Sequence, residues 1–328
     1  MARKTLLGLL VLVEACVIFG VTAGVASAPS TPGGSRAAAV GPANRSAGAA
    51  QSSVRVSAKR SGTAAPTNNP FASKALQTWL ANRHGRITAA VYDIKTGQEY
   101  LYKPQYAEKT ASTIKVDILA TALHLAQEHH EPLPADEVEA AVPMITESDN
   151  DAAEDLYNDI GGWNTIGPFD KSIGMTRTTP NDQGYFGETY TTAADQITLL
   201  KQVMLPGGKL SLSSRQYEYE LMLHVIPSQR WGITGGVPKN ARVAIKNGWL
   251  PETSGWHVNS TGRVQGDGRN YLIAVYTEWN TSWDYGIATI QHVAAAAWKA
   301  MGVKQGAGPA HYAPGPASSS TTQTSTTG

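Results

Sequence analysis

The chain has 328 residues and a single cysteine, Cys16, which lies inside an N-terminal apolar run. Everything downstream is therefore free of disulfides and of cysteine-ligated metal, and a fold there must be held by packing alone. Charge is also scarce, at 16% of residues with a net of +1. That balance hides an asymmetry, because residues 1–69 carry seven basic side chains against one acid and residues 70–328 carry 20 against 25. A net-acidic body argues against a nucleic-acid-binding core. No internal repeat is found, which excludes a solenoid or propeller.

What is present points to one large domain with tails. Apolar residues at 41% and eight Trp supply a core, whereas many of the 32 Gly and 18 Pro lie near the two ends. Arg3 and Lys4 precede the run LLGLLVLVEACVIFGVTAGVASA, residues 6–28, with the basic and apolar regions of an export signal. Residues 1–28 are read as a signal peptide or a signal anchor. Ala26-Ser27-Ala28 has the form of a cleavage site but Pro29 follows it, and Glu14 interrupts a run otherwise long enough to span a bilayer. Val13-Glu14-Ala15-Cys16 is a poor lipidation box. The expected destination is outside the cytoplasm, secreted or at the cell surface. Residues 29–69 read as an Ala/Ser/Pro/Gly linker, residues 305–328 as a Ser/Thr-rich tail, and residues 70–304 as the folded domain.

Within that domain, residues 71–83 (FASKALQTWLANR) have helical periodicity. Ile87 to Asp93 and Gln98 to Tyr102 flank a Lys95-Thr96-Gly97 turn as a hairpin. A helical stretch follows from about Ser112 to Leu200, and another helix covers Ser213 to Leu223. Strands return at Arg242 to Ile245, Trp256 to Val264 and Tyr271 to Tyr276 before a last helix from about Tyr285 to Met301. This order predicts an α+β domain, with a five-stranded antiparallel sheet, flanking terminal helices and a helical subdomain.

Three short strings could carry chemistry. Ser112-Thr113-Ile114-Lys115 opens a helix whose continuation, VDILATALHLA, is apolar nearly all round, so a lysine at its start is anomalous. Three residues apart on a helix, Ser112 and Lys115 can meet, and burial makes a lysine amine a base for a serine nucleophile. The plain alternative is that Ser112 caps a helix. Ser148-Asp149-Asn150 precedes another helix and could also be only a cap. Lys246-Asn247-Gly248 ends a predicted strand, where Asn-Gly is also the strongest hairpin signal. His129-His130-Glu131, at a polar helix end before Pro132, reads as solvated loop rather than metal site. The aromatic residues between Trp249 and Trp283 read as core packing.

Taken together, in order, the three strings resemble the S-x-x-K, S-D-N and K-T-G motifs of serine β-lactamases and penicillin-binding proteins. The resemblance covers most of residues 70–303 and includes Thr191-Thr192-Ala193, similar to the start of the helix after the class A omega loop. It implies a β-lactamase-like fold and an acyl-enzyme on Ser112, with Lys115 as base or proton relay and Ser148 serving the leaving group. Asn150 would orient the acyl side chain, and Lys246, Asn247 and Gly248 would receive the substrate carboxylate and backbone. The amides of Ser112 and Trp249 would form the oxyanion hole, the Trp249 side chain crowding the cleft. No metal or organic cofactor is implied. The partner would be a β-lactam or a peptidoglycan stem peptide, and a monomer is expected. Three departures stand out. The E-x-x-L-N omega loop is missing, leaving Asp182 and Glu188 as the acids available for deacylation. The Ser112 to Ser148 interval is short, which implies a trimmed helical subdomain, and Asn247 replaces a hydroxyl residue.

Overall fold

The computed structural model describes residues 68–302. The signal segment, the linker and the Ser/Thr tail lie outside the described residues. Eight helices and seven strands run in the order α1 (Lys74–Ala81), β1 (Arg86–Asp93), β2 (Gln98–Tyr102), β3 (Glu108–Lys109), α2 (Ile114–Glu128), α3 (Ala135–Thr146), α4 (Asn150–Asp159), α5 (Trp163–Ile173), β4 (Tyr190–Thr191), α6 (Ala193–Met204), α7 (Leu212–Leu223), β5 (Arg242–Glu252), β6 (Gly255–Gly266), β7 (Arg269–Asn280) and α8 (Trp283–Met301). Strands β2-β1-β7-β6-β5 form one antiparallel sheet, and β3 pairs with β4 in a small second one.

The sheet is apolar on both faces, and strand alternation sorts its residues cleanly. Ala89, Val91, Val243, Ile245, Ile273 and Val275 pack with Leu76 and Leu80 of α1 and with Ile290, Val293 and Ala297 of α8. Ala90, Ala244, Leu272, Ala274 and Tyr276 pack on the opposite side with α2, α6 and the remaining helices. Double burial explains the near-continuous apolar strands, and it puts α2 at the centre, with Ile114 to Leu123 all buried.

The helix starts follow capping chemistry. The side chains of Ser73, Asp149, Thr192, Ser211 and Ser282 each accept a hydrogen bond from a backbone N–H in the first turn of the helix they precede. Two sequence expectations are corrected. The helix read across residues 71–83 begins as a 3-10 turn, Pro70–Ala72, and restarts at Ser73, because that serine caps α1. Lys246-Asn247-Gly248 sits inside β5, not at its end, with Asn247 opposite Ser260 and Gly248 opposite Asn259. The two-residue turn is made by Asp267-Gly268 between β6 and β7, where both residues take positive φ (44° and 75°), as such hairpins require.

The helical layer holds an unusual group of acids. Asp117 of α2, Asp170 of α5 and Glu218 of α7 are all buried; Asp117 and Asp170 share a hydrogen bond with each other, and among the described residues no other group donates to the three carboxyls. Burial pushes the proton affinity of all three up, and the facing carboxyls of Asp117 and Asp170 raise Asp170 further. Raised folded-state pKa values mean that the stability these protons confer is complete below the ordinary carboxylate range and is lost as pH climbs through the folded values. Asp117→Asn, a neutral near-isostere, should therefore unfold at higher temperature than the parent at pH 9, with a smaller advantage or none at pH 5. Melting curves at the two pH values check this; a variant less stable at pH 9 would contradict it.

Candidate active site

Ser112 lies in a 3-10 turn, Ala111–Thr113, that runs directly into α2. It is not a helix cap: Thr113 occupies the cap position of α2, and no side chain accepts a first-turn hydrogen bond there. The turn is pinned from behind: the Thr113 hydroxyl bonds the Thr110 carbonyl at 2.7 Å and lies 2.8 Å from the buried Tyr276 hydroxyl. Ala111 and Ser148 both take positive φ, at 45° and 66°. Left-handed backbone in a non-glycine residue costs of order 1 kcal/mol or more, and here it occurs on either side of the reactive groups.

The three strings converge. Lys115 Nζ lies 3.2 Å from Ser112 Oγ, 2.6 Å from the Ser148 carbonyl oxygen, 2.7 Å from Asn150 Oδ1 and 3.4 Å from Ser148 Oγ. Lys246 Nζ donates to Ser148 Oγ at 2.8 Å from the other side. Both lysines are 0% exposed, and α2 and β5 carry them into the same wall. Burial pushes the Lys115 amine down to about 7, with the charge of Asp149 acting the other way. Burial, and then the neighbouring Lys115, hold Lys246 well below its ordinary value.

Gly248 brings the strand against the nucleophile. A Cβ there would stand 2.8 Å from the Ser112 nitrogen, 2.8 Å from the Thr110 carbonyl oxygen and 3.0 Å from the Thr113 nitrogen. Alternation then turns Lys246 and Gly248 toward α2 and turns Asn247 and Trp249 away, which corrects two expectations. Asn247 donates its amide to the carbonyls of Gln229 (2.7 Å) and Trp231 (3.2 Å), so it ties a loop to the strand, and its N–H groups are spent before any substrate arrives. The Trp249 ring packs against Trp231 (5.9 Å) and Trp283 (6.1 Å) and does not crowd the Ser112 side of the strand.

The two acids suggested for deacylation are placed differently from that role. Glu188 ends a 3-10 turn, Phe186–Glu188, whose Gly187 carbonyl accepts from Thr110 Oγ1 at 3.4 Å, so the segment does lie beside the nucleophile's turn. Its carboxylate, however, is bound by Lys109 at 2.8 Å and by Asn181 at 3.2 Å. Asp182 is exposed, and no described contact joins either acid to Ser112 or Lys115. His129, His130 and Glu131 are exposed at the end of α2, as expected of a solvated loop. Sequence reasoning missed the direct bond from Lys115 to Asn150 and the Lys109–Glu188–Glu252 bridge; no short motif signals either.

A family model described as "Beta-lactamase enzyme family" matches residues 136–301, half of the chain. The chain belongs to the beta-lactamase enzyme family. The matched stretch includes Ser148, Asn150 and Lys246 and begins beyond Ser112 and Lys115. The fold is that of class A β-lactamases. The enzyme from Bacteroides cellulosilyticus DSM 14838 superposes with a TM-score of 0.63 at 16% identity, over 71% of this chain and 99% of its own. An ancestral class A β-lactamase gives 0.59 at 24% identity, over 69% of this chain and 99% of its own. Curated relatives named "Putative lipoprotein LppW", from Mycobacterium tuberculosis H37Rv and Mycobacterium bovis, are 28% identical over 196 residues, 58% of this chain. The chain spans 62% of the length of those relatives.

Proposed function

We propose that the protein is an exported serine hydrolase that acts on β-lactams through an acyl-enzyme at Ser112. The observation that carries this reading is the hydrogen-bond count at Lys115. A neutral amine has two N–H donors and one lone pair. The donors have the Ser148 carbonyl and Asn150 Oδ1 as close acceptors, which leaves the lone pair for the Ser112 hydroxyl at 3.2 Å. Ser112 O–H gives its proton to Nζ as Oγ attacks the carbonyl carbon, and the negative charge on oxygen falls to the Ser112 and Trp249 amides. The Ser148 hydroxyl, between the two amines, passes a proton to the leaving nitrogen and is replenished from them. A substrate carboxylate near Lys246 would favour protonation of that amine and so supply the charge that burial withholds.

A second reading, a DD-peptidase acting on peptidoglycan stem peptides, is favoured by the engagement of Glu188 with Lys109, which leaves the acyl-enzyme without a carboxylate base for water. Export is supported by the N-terminal segment and by the lipoprotein name of the relatives. Among the described residues no helix is long and apolar enough to cross a membrane.

The test is intact-mass analysis of the protein with benzylpenicillin beside Ser112→Ala. A Ser112-dependent adduct is expected. Its rapid loss with turnover means β-lactamase, and its persistence means the peptidase reading. No adduct at any time means that β-lactams are not recognised, and leaves another ester or amide substrate, or a non-catalytic module that binds the cell wall, as the better reading.

A further inference from the structure

On the far side of the Ser112 turn, three ionisable side chains from three strands meet in the protein interior. Glu108 of β3, His257 of β6 and Glu278 of β7 are 0%, 2% and 5% exposed, and each offers a ligand atom within 4.8 Å of the other two. The sheet is bent to bring them there. Pairing between β6 and β7 shifts register between Trp256 and Val258, and Trp279, next to Glu278, takes a φ of 56°. Such bulges re-aim side chains that regular pleating would send elsewhere. We propose that Glu108, His257 and Glu278 bind one divalent transition-metal ion of the zinc class.

The second observation is His257 itself. Its Nε2 lies 3.3 Å from Glu252 Oε2, whereas Nδ1 is buried without a hydrogen-bond partner. An unpartnered imidazole nitrogen in the interior costs about 1–3 kcal/mol, and a buried ring flanked by carboxylates is the environment in which His ligates metals. One imidazole nitrogen with two carboxylates is a donor set that zinc-class ions accept; calcium and magnesium prefer oxygen throughout.

Arg86 holds the position that the ion would claim. Its Nε is 2.7 Å from Glu108 Oε1, and its guanidinium also pairs with Glu278. The arginine is itself 26% exposed and rests between the rings of Tyr106 and Trp279, each 4.8 Å from its central carbon. That aromatic ledge can keep the guanidinium when an ion displaces it from the carboxylates.

The site has a route to the nucleophile. Asn259 Nδ2, two residues beyond His257, donates to the carbonyls of Lys109 (2.8 Å) and Thr110 (3.1 Å), which join Glu108 to the Ser112 turn. A bound ion would clamp that segment from behind.

The experiment titrates the metal-stripped full chain with zinc sulfate, with magnesium as control, and reads both stoichiometry and melting temperature. One zinc per chain is expected, with a rise of about 5–10 °C at a hundredfold excess over Kd and no rise with magnesium. His257→Gln should lose the uptake. Arg86→Met should bind zinc more tightly, a gain that misfolding cannot mimic. The proposal is overturned if zinc does not bind or if Arg86→Met fails to tighten binding. Uptake that survives His257→Gln overturns it equally, since another group of the chain would then be the binder.

Discussion

Lys115→Met should slow acylation of Ser112 by about a thousandfold, within the range that a positioned general base contributes, and should remove the pH dependence of what remains. In the parent, only the neutral amine can take the Ser112 proton. Because burial sets that amine at about 7, the acylation rate should climb as pH rises through 7 and level off above it. Stability carries a second signature of the same burial, in a higher pH window. The lysine's folded pKa lies below its unfolded value of 10.5, so between 7 and 10.5 the unfolded chain binds the extra proton and parent stability gains with pH. Below 7 the folded parent must hold a buried ammonium, at a cost set by how far burial has lowered the amine. Methionine carries no such charge. Its stability relative to the parent should thus be more favourable at pH 6 than at pH 10, whatever the loss of the bonds to Asn150 and Ser148 adds at both. Rates of adduct formation by mass, and urea melts at the two pH values, check each half. A parent acylation rate flat from pH 5 to 9 would remove Lys115 as the base.

Where residues decide local structure by themselves, the sequence was a good guide. Asp149 precedes a helix and caps it, and the apolar helix after Ser112 is the central one. The spacing of Ser112 and Lys115 also translates directly, because one helical turn fixes their separation. Asn247-Gly248 shows the limit. The same dipeptide chemistry that makes Asp267-Gly268 a hairpin turn is overruled there by pairing with β6 along eleven residues, a non-local fact. The strand's facing then decided which neighbours of Lys246 could see substrate, and one register step moves Asn247 and Trp249 to the α8 side. The short strands β3 and β4 were illegible for a similar reason. Two residues each carry no period, and only their pairing, Glu108 with Thr191 and Lys109 with Tyr190, makes them strands. The buried acids and the Glu108–His257–Glu278 group, drawn from separate elements, are products of tertiary assembly and have no signature in any window.

Gly248→Ala should reduce acylation by about a hundredfold while leaving a folded, cooperative protein. The residue is not glycine for the sake of its backbone angles, since it lies within a regular stretch of β5 and is not among the glycines with positive φ. It is glycine for space. The added methyl would meet the Ser112 nitrogen and the Thr110 carbonyl oxygen, each at 2.8 Å, and the Thr113 nitrogen at 3.0 Å. All three are backbone atoms, and the Thr113 hydroxyl and the Asn259 amide both hold the Thr110 carbonyl, so no flexible side chain can yield. The strand must retreat from the turn by several tenths of an ångström. Overpacking of this kind typically costs about 1–3 kcal/mol of stability, which a domain with two buried sheet faces should survive. Catalysis is less tolerant, because displacement of a reacting constellation by about 1 Å can cost a hundredfold. The loss should fall on the limiting acylation rate rather than on the concentration of benzylpenicillin giving half of it, since the change lies between Ser112 and the strand and leaves Lys115, Ser148 and Lys246 in place. If the limiting rate is unchanged and the protein is folded, the edge of β5 does not supply the oxyanion donor, and the amide partner of Ser112 must be sought elsewhere in the cleft.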